Sequence, residues 1–385
     1  MKLGCVIQRY GTDIAGGAEL HCRLIAEQLT RFYSVEIFTT CAKDYVSWKN
    51  EYRAGTEIIN GLPVHRYPVK RTRNMHRFFD VQNLVFHGHG TSELEELWIR
   101  ENGPFSPKLL KAVSKRSDID AWILFSYRYW TTIEVLRMFP DKSYLVPTAE
   151  HDPAIHMKIF SSIFKLPKAI IYNSPEERQL IQTVSENYDV PGDVVGVGLI
   201  EEPLPEKQDT LEVFHKHKPY IIYVGRIDKN KGCDHLFRYF IRLCKEERQD
   251  IHLLLIGKPV ITIPDHPNIH HLGFVSESTK MAAILNASAL IMPSLYESLS
   301  MVVLEAWRAQ RPVIVNRSCE VLEGQCERSG GGLPYKGFDE FVYCVSLLAD
   351  RPELGDVIGR NGHEYYVKEY SWNVIVSKYR RLLEL

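Results

Sequence analysis

The feature that most constrains this chain is a repeated switch of hydrophobic period. Short runs rich in Val, Ile, Leu and aromatic residues, too brief for helices, alternate with stretches whose apolar residues recur every three or four positions. The first run spans 3–7; a loop containing Gly11, Gly16 and Gly17 follows, then a helical pattern over 18–32 with Leu20, Leu24, Ile25 and Leu29 on one face. Further strand-like runs lie at 34–40, 64–69, 121–125, 143–146 and 169–172, and again at 220–224, 252–256, 289–292 and 313–315. Such alternation predicts parallel sheets covered by helices, an α/β fold, and excludes an all-β or all-helical one.

Between the two series, residues 190–218 carry Pro191, Pro203, Pro205, Gly192, Gly196, Gly198 and mixed charges, the composition of a linker. The reading is therefore an N-terminal Rossmann-like domain over 1–200 and a C-terminal one over 201–370. Residues 371–385 form a last helix, with Trp372, Val376, Tyr379 and Leu383 spaced for burial, expected to pack back on the N-terminal domain. Two doubly wound halves imply a central cleft, with ligands at the carboxyl ends of the strands.

Charge narrows the partners. Lys and Arg number 47 against 48 Asp and Glu, so no global field recruits nucleic acid or an anionic surface. Eight cysteines without a C-x-x-C pair read as reduced thiols. No apolar run suits a signal-peptide core or the roughly 18 residues of a spanning helix, so the expected location is cytoplasmic.

Three strand–loop–helix junctions carry chemistry. The first, 11–19, holds the paired Gly16 and Gly17 before a helix start. Paired glycines let a backbone approach closely, and helix N–H groups suit an anion. It matches neither a Walker loop nor a dinucleotide fingerprint, and a plain tight turn explains it as well. The second, 224–232, places Arg226 and Lys231 on one loop after Gly225, a planar fork and a point charge suited to a diphosphate. The third, 293–300, runs through Glu297, Ser298, Leu299 and Ser300 into a helix over 301–309 containing Glu305. Serines suit an N-cap, and two carboxylates beside an anion cradle suit a ligand that also bears hydroxyls. An acidic helix start accounts for Glu297 but not for Glu305, whose neighbours Val302, Val303, Leu304, Ala306 and Trp307 are apolar. The three together describe a nucleotide sugar.

With those residues in hand the chain resembles glycosyltransferase family 4, retaining enzymes of the GT-B fold. The resemblance rests on Glu297 and Glu305 with seven residues between them in a Leu-Glu-Ala context, on the Gly225, Arg226, Lys231, Gly232 loop, on Gly16, Gly17 and Glu19, and on Asn173-Ser174. It implies that Arg226 and Lys231 bind the donor diphosphate and stabilise the leaving group, that Glu297 contacts donor-sugar hydroxyls and Glu305 the ribose, and that Gly16 and Gly17 approach the diphosphate. It also implies that His151 lies near the reacting sugar, where a capping or core histidine is the plain alternative. Ser298-Leu299-Ser300 departs from the family's Gly-Phe-Gly, which leaves backbone anion binding intact and alters the sugar pocket.

The expected mechanism is front-face transfer with retention. Fixed cations and helix termini take the developing charge, a term of about 3–4 kcal/mol per well-placed donor, in place of a metal. No cofactor or metal is assigned: Asp118-Ile119-Asp120 precedes its strand, and His87-x-His89 and His215-x-His217 lack a cysteine partner. Acceptor contacts are expected from Arg9, Tyr10, Tyr127, Arg128 and Tyr129. The segment 66–79, with Arg66, Lys70, Arg71, Arg73, Arg77, Phe78 and Phe79, suits an anionic leaflet at the inner membrane face. A solvated loop explains it equally; the leaflet reading would make a lipid-linked glycan the acceptor. Two other functions stay open, a GT-B sugar-nucleotide epimerase and a silent nucleotide- or carbohydrate-binding protein.

Overall fold

The computed structural model describes residues 1–14, 16–205 and 219–384. The chain divides into two units, Met1–Gly198 with Trp372–Leu385, and Leu199–Ser371.

The first unit is built on an eight-stranded sheet. Its strands are β1 (Lys2–Val6), β2 (Ser34–Thr40), β3 (Gly55–Ile59), β4 (Leu62–Tyr67), β5 (Ala121–Phe125), β6 (Ser143–Val146), β7 (Ala169–Tyr172) and β8 (Gly192–Val194). They lie in the order β3-β4-β2-β1-β5-β6-β7-β8, and every adjacent pair is parallel except β3 with β4. The central strands are unbroken apolar runs such as Ala-Trp-Ile-Leu-Phe because helices cover both faces. The β3–β4 hairpin turns on Asn60 and Gly61, both at positive φ, the two-residue turn that matches strand twist. The sequence reading passed over that Asn-Gly signal because β3 is exposed and polar. It also placed β8 inside the linker; the edge of the sheet takes up Gly192–Val194, and the division between units falls after Gly198. Residues 206–218 of the expected linker, with His215 and His217, lie outside the described residues.

The helix Trp372–Leu383 buries Trp372, Ile375, Val376, Tyr379, Leu382 and Leu383, one face at helical spacing, within this unit. Its Tyr379 hydroxyl lies 3.4 Å from Nε2 of His21, and the Tyr144 hydroxyl reaches the Leu383 carbonyl at 3.5 Å. His21 sits in the helix Gly17–Leu29, edge-on to Phe125 at 5.4 Å. Burial pushes its pKa down to about 3, against an acceptor contact with the Gly196 backbone that raises it. The folded state thus keeps His21 neutral, while the unfolded chain protonates near pH 6.5. The associated stability is fully present above pH 6.5 and drains as pH falls toward 3, up to roughly 4–5 kcal/mol. Urea midpoints measured from pH 7.5 down to 4.5 should fall steeply for the wild type and less steeply for His21→Leu; parallel slopes would overturn this.

The second unit has six parallel strands, β9 (Tyr220–Val224), β10 (His252–Ile256), β11 (Ile269–His271), β12 (Ala289–Met292), β13 (Val313–Asn316) and β14 (Gly332–Tyr335), in the order β11-β10-β9-β12-β13-β14. The edge strands β11 and β14 escaped the sequence reading because both are short and half-exposed. The helix Cys233–Glu246 buries Cys233, Leu236, Phe237, Phe240, Leu243 and Cys244 against the sheet. Trp307, fully buried, donates its indole N–H to the Gly331 carbonyl at 2.9 Å. All eight cysteines are buried and free, and burial pushes thiols such as Cys233 up to about 11, so they act as small apolar side chains. Among the described residues no helix is long and apolar enough to cross a membrane.

Candidate functional site

In the second unit the loops after β9 and β12 are assembled from buried polar anchors. Arg226 and Lys231 share a loop whose shape is set by Asp228. One Asp228 oxygen accepts the Lys231 backbone N–H at 2.8 Å, and the other is paired with the Arg226 guanidinium. The buried Tyr223 hydroxyl donates to the Arg226 carbonyl at 2.8 Å. The Ile227 N–H donates to the Lys258 carbonyl at 3.0 Å, so the loop is tied to the one after β10. Gly225 takes φ +147 and Gly232 φ +73, conformations open to glycine. A Cβ on Gly232 would stand 2.2 Å from the Pro293 carbonyl oxygen, so this residue also lets the two loops meet.

Lys231 then reaches across to the second loop. Its Nζ lies 2.6 Å from Oε1 of Glu297. Arg226 and Lys231 come from one loop, and each is paired with a carboxylate, Asp228 and Glu297 respectively. Ser298 and Leu299 are half-buried, and Ser300 is the N-cap residue of the helix Met301–Arg308. Its hydroxyl makes no cap bond, contrary to the capping role expected of the serines, so the first-turn amides are not capped by a side chain.

Glu305 lies in the second turn of that helix and is only 8% exposed. Its Oε1 accepts from Lys280 Nζ at 2.8 Å; its Oε2 is buried and has no hydrogen-bond partner. Burial pushes its pKa above the usual carboxylate value, and Lys280 opposes that shift. Lys280 comes from the helix Glu277–Asn286 and is paired with Glu277 as well, at 2.8 Å. The sequence reading named neither Lys280 nor Asp228. Asp228 was legible as an acid three residues before Lys231; Lys280 carries no local signal.

In the first unit, the loop after β1 is organised by Glu19. Its carboxylate accepts from Gln8 Nε2 at 3.0 Å and from Arg9 Nε at 2.8 Å, while Arg9 Nη1 donates to the Lys43 carbonyl at 2.8 Å. A Cβ on Gly16 would stand 2.1 Å from Glu19 Oε2, whereas one on Gly17 meets nothing within 4 Å. A side chain at Gly16 would thus crowd the Glu19 carboxylate, whereas one at Gly17 would face open space.

The expected acceptor set needs correction. Tyr10 and Tyr127 are 0% and 1% exposed, so neither ring can stack on a sugar. Arg9 is buried and committed to Glu19. Arg128 remains partly exposed, with Nη2 2.6 Å from Asp152, and Tyr129 is half-buried edge-on to Trp48 at 5.5 Å.

His151 is exposed, its ring 5.3 Å from that of His156. It is not a core histidine, and the cap of the adjacent turn is Asp152, which accepts from the Ala154 N–H at 3.1 Å. The backbone beneath it is held by Glu177. That fully buried carboxylate accepts the Ala149 and Asn173 N–H groups, each at 2.5 Å, while the N-cap Ser174 hydroxyl accepts the Glu177 N–H at 3.1 Å; the Ser-x-x-Glu spacing is that of a capping box, but the carboxylate reaches the residue before the cap.

Segment 66–79 is not a free basic loop. Arg66 is buried beneath Tyr52 and paired with Glu57; Arg71 and Arg77 both reach Glu101, at 2.6 and 3.2 Å. Arg73 lies between Trp48 and Phe78, each ring centroid 4.9 Å away. Acids absent from the segment are supplied by other elements, and of the two phenylalanines only Phe79 is exposed. Asp118 and Asp120 are occupied as well: Asp118 with Arg116 and Lys2 at 2.7 Å, Asp120 accepting the Lys2 N–H at 2.6 Å. His87 Nδ1 is bonded to the Asn83 carbonyl at 2.8 Å.

Comparison with known proteins adds the class. Residues 206–331 match the family model described as glycosyl transferases group 1. An uncharacterized glycosyltransferase of Methanocaldococcus jannaschii is 25% identical over 98% of this chain and 96% of its own. Among solved structures, sucrose-phosphate synthase from Thermosynechococcus elongatus superposes with a TM-score of 0.70 at 15% identity, over 100% of this chain and 98% of that one. HepE of Anabaena in complex with UDP and glucose does so with a TM-score of 0.70 at 13% identity, over 100% of this chain and 99% of that one. Together with the parallel sheets and the two Rossmann-like units, these findings make the chain an enzyme of the glycosyltransferase class with a GT-B fold, the family-model match itself covering 206–331.

Proposed function

We propose that the chain moves a sugar from a nucleotide-diphosphate sugar to a hydroxyl of a glycan, lipid-linked glycan or small molecule, with retention and without a metal ion. The observation that carries this reading is Glu305, a buried carboxylate with one oxygen lacking any partner in the chain. Such a group costs stability unless a donor completes it, and ribose hydroxyls are donors of the right kind. Arg226 and Lys231 supply the charge for the diphosphate, released from Asp228 and Glu297 as it binds. They then stabilise the leaving group as its bond to the sugar breaks. Glu297 takes donor-sugar hydroxyls. Gly225, Ser298, Leu299 and Ser300 offer backbone to the phosphates and sugar, and Gly17 offers the same in the first unit, with Gly16 kept small for Glu19.

In the front-face route the acceptor hydroxyl gives its proton to the departing phosphate while attacking the anomeric carbon, so no carboxylate acid–base pair is required. His151 is assigned to the reacting sugar, and Arg128 and Tyr129 are the acceptor contacts that keep exposed surface. The sequence argument for a lipid-linked acceptor is weakened, since Arg66, Arg71, Arg73 and Arg77 of 66–79 are engaged within the chain.

The test is calorimetry and thermal shift with UDP, GDP, ADP and their sugar conjugates, with and without EDTA. UDP leads because HepE was solved with it. Selective binding of one nucleotide that survives EDTA is expected, as is a product whose anomeric configuration by NMR equals the donor's. Failure of every nucleotide to bind would leave a silent binder of another ligand. An inverted product would remove the mechanism, and donor isomerised without acceptor would mark an epimerase.

A further inference from the structure

Glu305 is one end of a three-residue bridge. Lys280 Nζ lies 2.8 Å from Glu305 Oε1 and 2.8 Å from Glu277 Oε1, with 16% of its side chain exposed. Glu277 precedes it by three positions, one turn of the helix Glu277–Asn286, while Glu305 comes from the helix Met301–Arg308. The ammonium therefore joins two helices and engages only one of the two Glu305 oxygens. The other is the orphan, Oε2.

We propose that Lys280 is a positioning residue for nucleotide recognition: it clamps Glu305 by Oε1 so that Oε2 is reserved for a ribose hydroxyl, and thereby sets selectivity for ribo- over deoxyribonucleotides. The inference rests on the donor-site reading given above and goes beyond it by assigning the specificity to a pair rather than to one carboxylate. The geometry has a charge consequence. The charged groups acting on Glu305 are Lys280 and Glu277 from one helix and Arg308 from its own; Lys280 and Arg308 favour the ionised form, Glu277 and burial oppose it. With Lys280 removed, burial and Glu277 would drive Glu305 to take up a proton, and a protonated carboxyl both loses its charge and can rotate away from the ribose.

The experiment is calorimetry at pH 6 to 9 with the nucleoside diphosphate that binds the wild type best among UDP, GDP and ADP, beside its 2′-deoxy and 3′-deoxy forms. The wild type should prefer the ribonucleotide by about tenfold or more, the span of one charge-assisted hydrogen bond, and keep that preference to lower pH than a variant without the Lys280 ammonium. Lys280→Met should lose most of that preference at pH 7 and regain it as pH rises and Glu305 ionises. Lys280→Arg, which preserves the cation, should keep it, and Lys280→Gln is the neutral variant that decides the matter if the Met variant does not fold. Glu305→Gln should lose the preference at every pH.

If Glu305→Gln loses the preference while the neutral Lys280 variants keep the wild-type pH profile, Lys280 has no positioning role and the donor site stands. If Glu305→Gln discriminates like the wild type, or the wild type binds no nucleotide, the donor-site reading fails and the inference falls with it.

Discussion

Alanine at position 231 should lower kcat for sugar transfer by roughly 10²–10³-fold, the loss measured elsewhere when one preorganised donor to developing charge is removed. Two effects combine. The ammonium that faces the departing diphosphate is gone, and Glu297, whose side chain is only 10% exposed, loses the partner 2.6 Å away that holds it. The second effect separates this variant from a simple charge deletion. Glu297→Gln frees Lys231 for phosphate, so it should chiefly disturb donor-sugar contacts, leaving affinity for the bare nucleoside diphosphate at or above that of the wild type. Lys231→Ala should weaken that affinity as well. Steady-state transfer with the donor chosen by nucleotide binding, alongside calorimetry with the diphosphate alone, reads both. A kcat within threefold of the wild type in Lys231→Ala would remove Lys231 from the leaving-group role.

The second large effect concerns Gly232. Alanine there meets a left-handed φ of +73 and a carbonyl oxygen of Pro293 at 2.2 Å, far inside contact distance. The backbone conformation alone costs about 1–3 kcal/mol for a residue with a Cβ. Relieving the overlap requires the loop after β9 to part from the loop after β12, which also parts Lys231 from Glu297. Gly232→Ala should therefore lower Tm by roughly 5–10 °C, taking about 2–4 °C per kcal/mol for a unit of this size. It should also weaken nucleotide binding. Gly17→Ala is the control: its Cβ meets nothing within 4 Å, so stability should hold or rise slightly at a helix start, while donor binding falls if open backbone at Gly17 is used. Thermal melts with and without nucleotide distinguish the two variants. A Gly232→Ala protein with wild-type Tm would mean the loops are not packed as described.

Much of the architecture was legible along the chain. The central strands could be read because a strand buried on both faces must be apolar throughout, as Tyr220–Val224 and Ala121–Phe125 are. The edge strands β3, β8, β11 and β14 could not, because an edge is half-solvated and its residues resemble loop. Arg226, Lys231 and Glu297 were legible because each lies in the loop that follows a strand, and Glu305 because it is an acid among apolar helix neighbours.

What the linear order could not convey was pairing. Tyr10 and Tyr127 follow strands, yet packing turned both rings into the core. The basic run 66–79 looked free of acids, but Glu57 and Glu101 arrive from other elements to pair with Arg66, Arg71 and Arg77. Lys280 is 25 residues from Glu305 and on another helix, so only the fold brings them to 2.8 Å. The sequence by itself determined the two α/β units and which strand ends bear charge, since hydrophobic period and loop spacing are local properties. The tertiary structure alone decided which charge meets which, and so which polar atom is left for a ligand, because burial and ion pairing depend on contacts between segments far apart in the chain.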